Sequence, residues 1–181
     1  MDIEYSDSQQ NIGIRPYQTT DIPLLYEAVR ESIPHMYPFM PWCHPAYSLE
    51  EAKQWVLSRP DAWQMEEYSF VIFSQDTELI GGIGINFINR VHQFGNLGYW
   101  IRRSALGENR AAQAAKLALR FAWEELKLQR LEIVVATTNT ASQQVANKLG
   151  AQQEGILRNR LRLHGKSVDA IMYSLIPNVP E

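Results

Sequence analysis

The sequence predicts one α/β domain, a sandwich built on a mixed, mostly antiparallel sheet with helices on both faces. Three observations carry that expectation. Strand-like and helical segments follow one another in the order strand, two helices, three strands, helix, strand, helix, two strands. The three middle strands are consecutive, and the polar turn NRVHQFG joins the second to the third, as antiparallel neighbours require. The longest helical stretch carries Ala111, Ala114, Ala115, Ala118, Phe121 and Ala122 at helical spacing, a face of small residues that can lie close on a sheet.

Taken in chain order, residues 1–10 are acidic and polar and read as a loosely ordered extension, unlike a signal peptide. NIGIRPY is the first strand. TTDIPLLYEAVRESI is a helix that Thr20 or Asp21 can cap, with Pro23 in its first turn. SLEEAKQWVLSR starts with the capping-box pair Ser48 and Glu51. Between these helices, residues 34–47 are rich in proline and aromatics, too irregular for an element and too apolar for a free linker. The middle strands are YSFVIF, LIGGIGINFI and NLGYWI. LEIVVA is a buried strand, ASQQVANKL a short helix ended by Gly150, and QQEGILR and SVDAIMYSLI close the fold around LHGK.

Composition bounds the function. The 181 residues, 45% of them apolar, suffice for one core, and no repeat, low-complexity tract or linker divides them, so a single domain over 1–181 is expected. A net charge of −3 argues against a nucleic-acid module. Cys43 is the only cysteine, which leaves no disulfide framework and no thiolate metal site, and no metal is expected. No apolar run reaches the roughly 20 residues that cross a bilayer. A cytoplasmic protein, monomeric or homodimeric, with no membrane partner is the expectation.

GYWI, the Ala-rich helix after it, the continuous stretch LEIVVATTNTASQQVANKLGAQQEGILR and the closing HGKSVDAIMYSL together resemble the GNAT acyltransferase superfamily, and within it the RimJ/RimL branch of N-terminal acetyltransferases of ribosomal proteins. The resemblance runs from IRPY to YSLI and is densest from Gly98 onward. It implies an N-acetyltransferase with acetyl-CoA as cosubstrate and an amine acceptor, such as a ribosomal-protein N-terminus, that attacks directly in a ternary complex.

Elementary physics supports a cofactor site in the same place. The helix that follows IRRSALGENRAA starts with uncommitted N–H groups and a positive dipole end, which together bind anions. The candidate cofactor-binding residues there are Arg103, Gly107, Glu108, Asn109, Arg110, Ala111 and Ala112. The family's usual Arg or Gln, first Gly, and final Gly or Ala fall on Leu106, Asn109 and Ala111, and only the last matches; Asn, however, tolerates the left-handed conformation. An ordinary strand-to-helix connection would read the same. By resemblance, Tyr99 and Ile101 offer backbone groups to a pantetheine arm, whereas on packing alone NLGYWI is a core strand.

Asn139 can cap the helix ASQQVANKL. The resemblance assigns Ser142 the acid that protonates the leaving thiolate, because the position at which many relatives carry Tyr is Ala146. The catalytic candidates are therefore Ser142 and Asn139, both also at the cofactor. No base is evident: the two positions where relatives carry Glu are Asn96 and Leu161, which leaves Glu31, His35, His44 and water. Glu154 is expected to organise a turn and Asp169 to pair with Arg158 or Arg160. An α-amine, with a reference pKa of about 7.7–8.0 against about 10.4 for lysine, suits an enzyme with no clear base, and residues 34–47 would wall its groove. A small-molecule amine acetyltransferase and a CoA-binding protein without turnover remain as alternatives.

Overall fold

The computed structural model describes residues 4–74 and 79–177. Its sheet has eight strands in the order β1-β2-β3-β4-β5-β6-β8-β7. They are β1 (Tyr5–Asp7), β2 (Ile12–Pro16), β3 (Tyr68–Phe73), β4 (Gly81–Asn89), β5 (Phe94–Ile101), β6 (Arg130–Ala136), β7 (Gln152–Leu163) and β8 (Lys166–Leu175). The helices are α1 (Asp21–Met36), α2 (Leu49–Gln64), α3 (Arg110–Glu124) and α4 (Thr140–Lys148). Every neighbouring pair is antiparallel except β5 and β6, which are parallel and joined through α3.

Both faces are covered, so the central strands are apolar on both sides. Phe70 and Ile72 of β3 join Phe121, Ala114 and Ala118 of α3 in the larger core. Val71, between them, points the other way into a second core with Leu25 and Val29 of α1 and Val56 of α2. The small face of α3 is fully buried, as its spacing requires.

Four local expectations are corrected. Tyr5–Asp7 form a strand on β2 instead of a loose extension, because Tyr5 packs edge-on against Phe121 at 6.2 Å; residues 1–3 of that extension lie outside the described residues. Thr20 makes no capping hydrogen bond, and Asp21 accepts from the Gln18 N–H while taking a bidentate pair from Arg15. Helix α2 runs through Pro60 to Gln64, since Trp63 gains edge-on contacts with Tyr68 and Phe70 at 5.1 and 5.3 Å. Asp169 accepts from the Asn159 N–H at a bulge in β7 and makes no ion pair with either arginine. Glu154 ties strands together, receiving both Nη groups of Arg130 and the Ser174 hydroxyl. The Ser48–Glu51 capping box forms as its spacing predicts.

What positions the site is the way β5 leaves β6. Their parallel ladder runs only from Phe94 to Asn96 against Arg130 to Glu132. Beyond it β5 stays on β4 as far as Ile101, and β6 stays on β8 as far as Ala136. A bulge in β4, with Phe87 at φ 51°, lies where the two part, and a bulge increases local twist. The end of β5 is then pinned to α1. Glu31 accepts from Arg102 Nε and Nη2 at 3.0 and 2.7 Å and from the Ser104 N–H and hydroxyl. Across the opening, His164 in the β7–β8 turn donates to the Tyr37 carbonyl and stacks on the Tyr37 ring at 4.0 Å.

Hydrogen bonds from Arg102, with those of Ser104, hold the Glu31 carboxyl down to about 2 from an ordinary 4.5. A depressed carboxyl stabilises the fold above its unfolded pKa, and that contribution fades as pH falls from about 4.5 towards 2. Glu31→Gln is expected to lose on the order of 1 kcal/mol at pH 7 and to show a flatter decline of stability below pH 4.5. Urea titrations at pH 7, 4 and 3 test this; parallel declines in the two proteins would detach Glu31 from acid sensitivity.

Candidate active site

The gap between β5 and β6 opens into a cleft of about 570 Å³. Its floor is the unpaired edge of β5. The Arg102 N–H donates to the Ile80 carbonyl, and with the β4–β5 register this sets the even residues of β5 bonding to β4. Tyr99 and Ile101 therefore point their N–H and C=O groups into the cleft. One of these is engaged: His35 Nε2 donates to the Ile101 carbonyl at 3.0 Å.

At one end of the cleft lies the loop before α3. Gly107, Glu108 and Asn109 all have positive φ, at 95°, 50° and 58°. A run of left-handed residues turns successive N–H groups towards one side, and open space surrounds Gly107 where a Cβ would stand. No side chain caps α3, so its first-turn N–H groups at Ala111 and Ala112 keep their donors. Glu108 puts a carboxylate in this loop, but Arg110 is bound to it through Nε and Nη2. Lys148, at the end of α4, reaches Asn109 Oδ1 and adds a cation that the sequence reading missed. Its signal was its place in the last turn of α4, facing a loop that only the fold brings near.

Helix α4 forms the other wall. Asn139 Oδ1 accepts from the Ser142 N–H at 3.1 Å, the cap that the sequence predicts. The Ser142 hydroxyl meets the Tyr99 phenol at 2.9 Å. Burial pushes that phenol up to about 12, so it keeps its proton at neutral pH and can hold the serine oxygen as a donor.

Tyr99, Ile101, Gly107, Glu108, Asn109, Arg110, Ala111, Ala112, Asn139 and Ser142 all line the one cleft. Arg103 does not. It stands in a short 3₁₀ turn, its N–H given to Ser32 Oγ and its side chain exposed outside the lining. Of the three base candidates, only His35 lines the cleft among the described residues. Glu31 has its lone pairs taken by Arg102 and Ser104, and His35 spends its Nε2 proton on Ile101 while Nδ1 is buried with no partner. His44 is left, its Nε2 2.6 Å from Glu51 Oε1. Asn96, where relatives carry Glu, donates to Asn86 Oδ1 at 2.9 Å. No group of three or more His, Cys, Asp or Glu side chains gathers as a metal site among the described residues.

A second cavity, of about 390 Å³, lies on the α1–α2 face of β4 and β5. It shares Met40, Tyr99 and Trp100 with the cleft, so β5 separates the two spaces by one strand. Residues 34–47 do wall it, through Met40, Trp42 and Tyr47.

Residues 11–152 match the family model described as Acetyltransferase (GNAT) domain. Among curated proteins, the chain is 31% identical over 113 residues to "Uncharacterized N-acetyltransferase p20" of Bacillus licheniformis, covering 62% of this chain and 63% of that one. It is 32% identical over 107 residues to the "Ribosomal-protein-serine acetyltransferase" of Escherichia coli, covering 59% of each. The match thus spans less than two thirds of these relatives' length. Among solved structures, RimL, named as the ribosomal L7/L12 alpha-N-protein acetyltransferase in complex with coenzyme A, superposes with a TM-score of 0.83 at 23% identity, over 92% of this chain and 94% of that one, a likeness of fold. With the family model spanning most of the chain and the splayed β5–β6 cleft beneath it, this protein belongs to the GNAT acetyltransferase family.

Proposed function

We propose that the chain is an acetyl-CoA-dependent N-acetyltransferase whose acceptor is the N-terminal α-amine of a protein or peptide, a ribosomal protein among the candidates. The observation that carries this is the Tyr99–Ser142 pair at the point where the cleft and the second cavity share a wall. The donor set fits an anionic, extended thioester carrier. Backbone N–H groups at Ala111 and Ala112, with Lys148 and Arg110, would hold phosphates; Tyr99 and Ile101 would pair with an extended arm through main chain. Acetyl-CoA supplies the activated acetyl group. The N–H groups and the charged side chains around it fix where that group sits, which makes positioning the main contribution of the protein.

Ser142 then acts as the acid. Its hydroxyl gives a proton to the departing sulfur, and the protonated Tyr99 phenol steadies the serine oxygen from behind. The amine must lose a proton in the same reaction. With Glu31 locked, Glu108 paired with Arg110 and Asn96 tied to Asn86, no uncommitted carboxylate waits for it among the described residues of the cleft, and an α-amine, appreciably neutral at pH 7, is the acceptor that least needs one. The names of the E. coli relative and of RimL support a ribosomal-protein acceptor. The same shortage of a base favours the second reading, a CoA-binding protein without turnover.

Acetyl-CoA at 100 times its Kd is expected to stabilise the fold by about 2.7 kcal/mol, and adenosine by much less. No thermal shift at millimolar acetyl-CoA would remove both readings. Ser142→Ala is expected to lower kcat roughly 10- to 1000-fold with acetyl-CoA affinity unchanged. Thiol release with peptides of free and blocked N-terminus, each with one lysine, checks this and the acceptor together: an unchanged kcat returns Ser142 to a solvated helix residue, and acetylation confined to lysine rejects the α-amine. Asn139→Ala is expected to cost about 1 kcal/mol in urea unfolding through loss of the cap, besides its effect on activity.

A further inference from the structure

We infer that the second cavity is a specificity pocket that takes one bulky apolar side chain, aromatic by preference, carried by the amine acceptor. The inference rests on the acetyl-transfer reading and goes beyond it. The walls are Trp42, Tyr47, Trp55 and Trp100, with Trp42 lying tilted to Tyr47 and edge-on to Trp100 at 6.2 and 6.3 Å. Rings set at such angles leave flat faces for a further ring.

The floor is glycine. Gly82, Gly84 and Gly98 are at alternate positions of β4 and β5, and Gly84 and Gly98 are cross-strand partners, so the three share one face. A Cβ at Gly82 would stand 2.6 Å from Trp100 Nε1 and 2.7 Å from the Tyr17 hydroxyl, so glycine there lets those groups lie on the strand. A Cβ at Gly98 would meet nothing within 4 Å. That emptiness is the cavity itself, directly beside Tyr99, whose phenol reaches Ser142 on the other side of the sheet.

Charge chemistry narrows the guest. Glu51 is the one carboxylate among the described lining residues, and both of its oxygens accept hydrogen bonds, Oε1 from His44 and Oε2 from the Ser48 N–H and hydroxyl. Asn86 Oδ1 is taken by Asn96. An acidic guest would meet no cation among the described lining residues, whereas an apolar one loses water on both sides. Trp42, 43% exposed at the rim, is surface that such a guest would cover. The volume of about 390 Å³ is at the small end for ligand pockets, enough for one large side chain and no folded segment.

Peptides that differ only in their first residue, Gly, Ser, Leu, Phe, Lys or Glu, test this through thiol release. Phe and Leu are expected to exceed Gly by about 10- to 100-fold in kcat/KM. Gly98→Leu, which fills the pocket without a backbone penalty, is expected to remove most of that ratio, and so is Trp42→Ala, whose exposed position spares the fold. No preference among first residues, or a preference for Lys, Glu or a free polyamine, would overturn the inference. The pocket is also read without chemistry. Phenylalaninamide, and not glycinamide, should quench tryptophan emission in the wild type and fail to do so in Gly98→Leu. Equal quenching in both proteins overturns the pocket, while quenching that Gly98→Leu abolishes, in a protein that releases no thiol, leaves the pocket standing and removes acetyl transfer.

Discussion

The parting of β5 from β6 is the constraint on which the remainder of the site depends. Buried backbone groups need partners, and a strand inside a sheet normally finds them on both sides. Here β5 has a partner on one side only after Asn96. Apart from the Ile101 carbonyl, which His35 engages, the main-chain groups of Tyr99 and Ile101 face the cleft, the kind of strand edge that β-augmentation uses. The Glu31–Arg102–Ser104 cluster anchors the free end of β5 to α1.

From that opening the chemistry follows by juxtaposition. Helix α3 must cross from β5 to β6, and its uncapped N-terminus ends up beside the gap because its small face lies flat on the sheet. Helix α4 begins where β6 stops, so the capped turn at Asn139 sets Ser142 against the gap from the far wall. The serine then meets a phenol from the floor. Neither residue is unusual alone. Their pairing at 2.9 Å, in a place that raises the phenol's pKa by burial, gives the hydroxyl a fixed orientation.

The two cavities differ in chemistry. The cleft is rich in N–H donors and cations, including Arg110 and Lys148, and suits phosphate. The second cavity is aromatic, floored by glycine and without a cation among its described lining residues. One strand separates an anion-seeking space from an apolar one, and residues 34–47 border both, through Met40.

Element order from β2 onward, the small face of α3, the capping box at Ser48 and the Asn139 cap were written in the sequence, because each depends on spacing within a few residues. In the loop before α3 the sequence established only that Asn109 tolerates the left-handed region, which it occupies. Contacts between distant segments were decided only by the tertiary fold. Tyr99 meets Ser142 across 43 positions, Glu31 is consumed by Arg102 across 71, and His164 reaches Tyr37 across 127. Arg103, assigned from its place in a motif, turned out of the cleft because the 3₁₀ turn bonds its N–H to Ser32. The aromatic pocket could not be read in advance either, since its walls come from a loop and two helices while its floor comes from alternate glycines of two strands. Local periodicity fixes an element and its faces; which faces meet depends on strand order, register and the point at which β5 leaves β6.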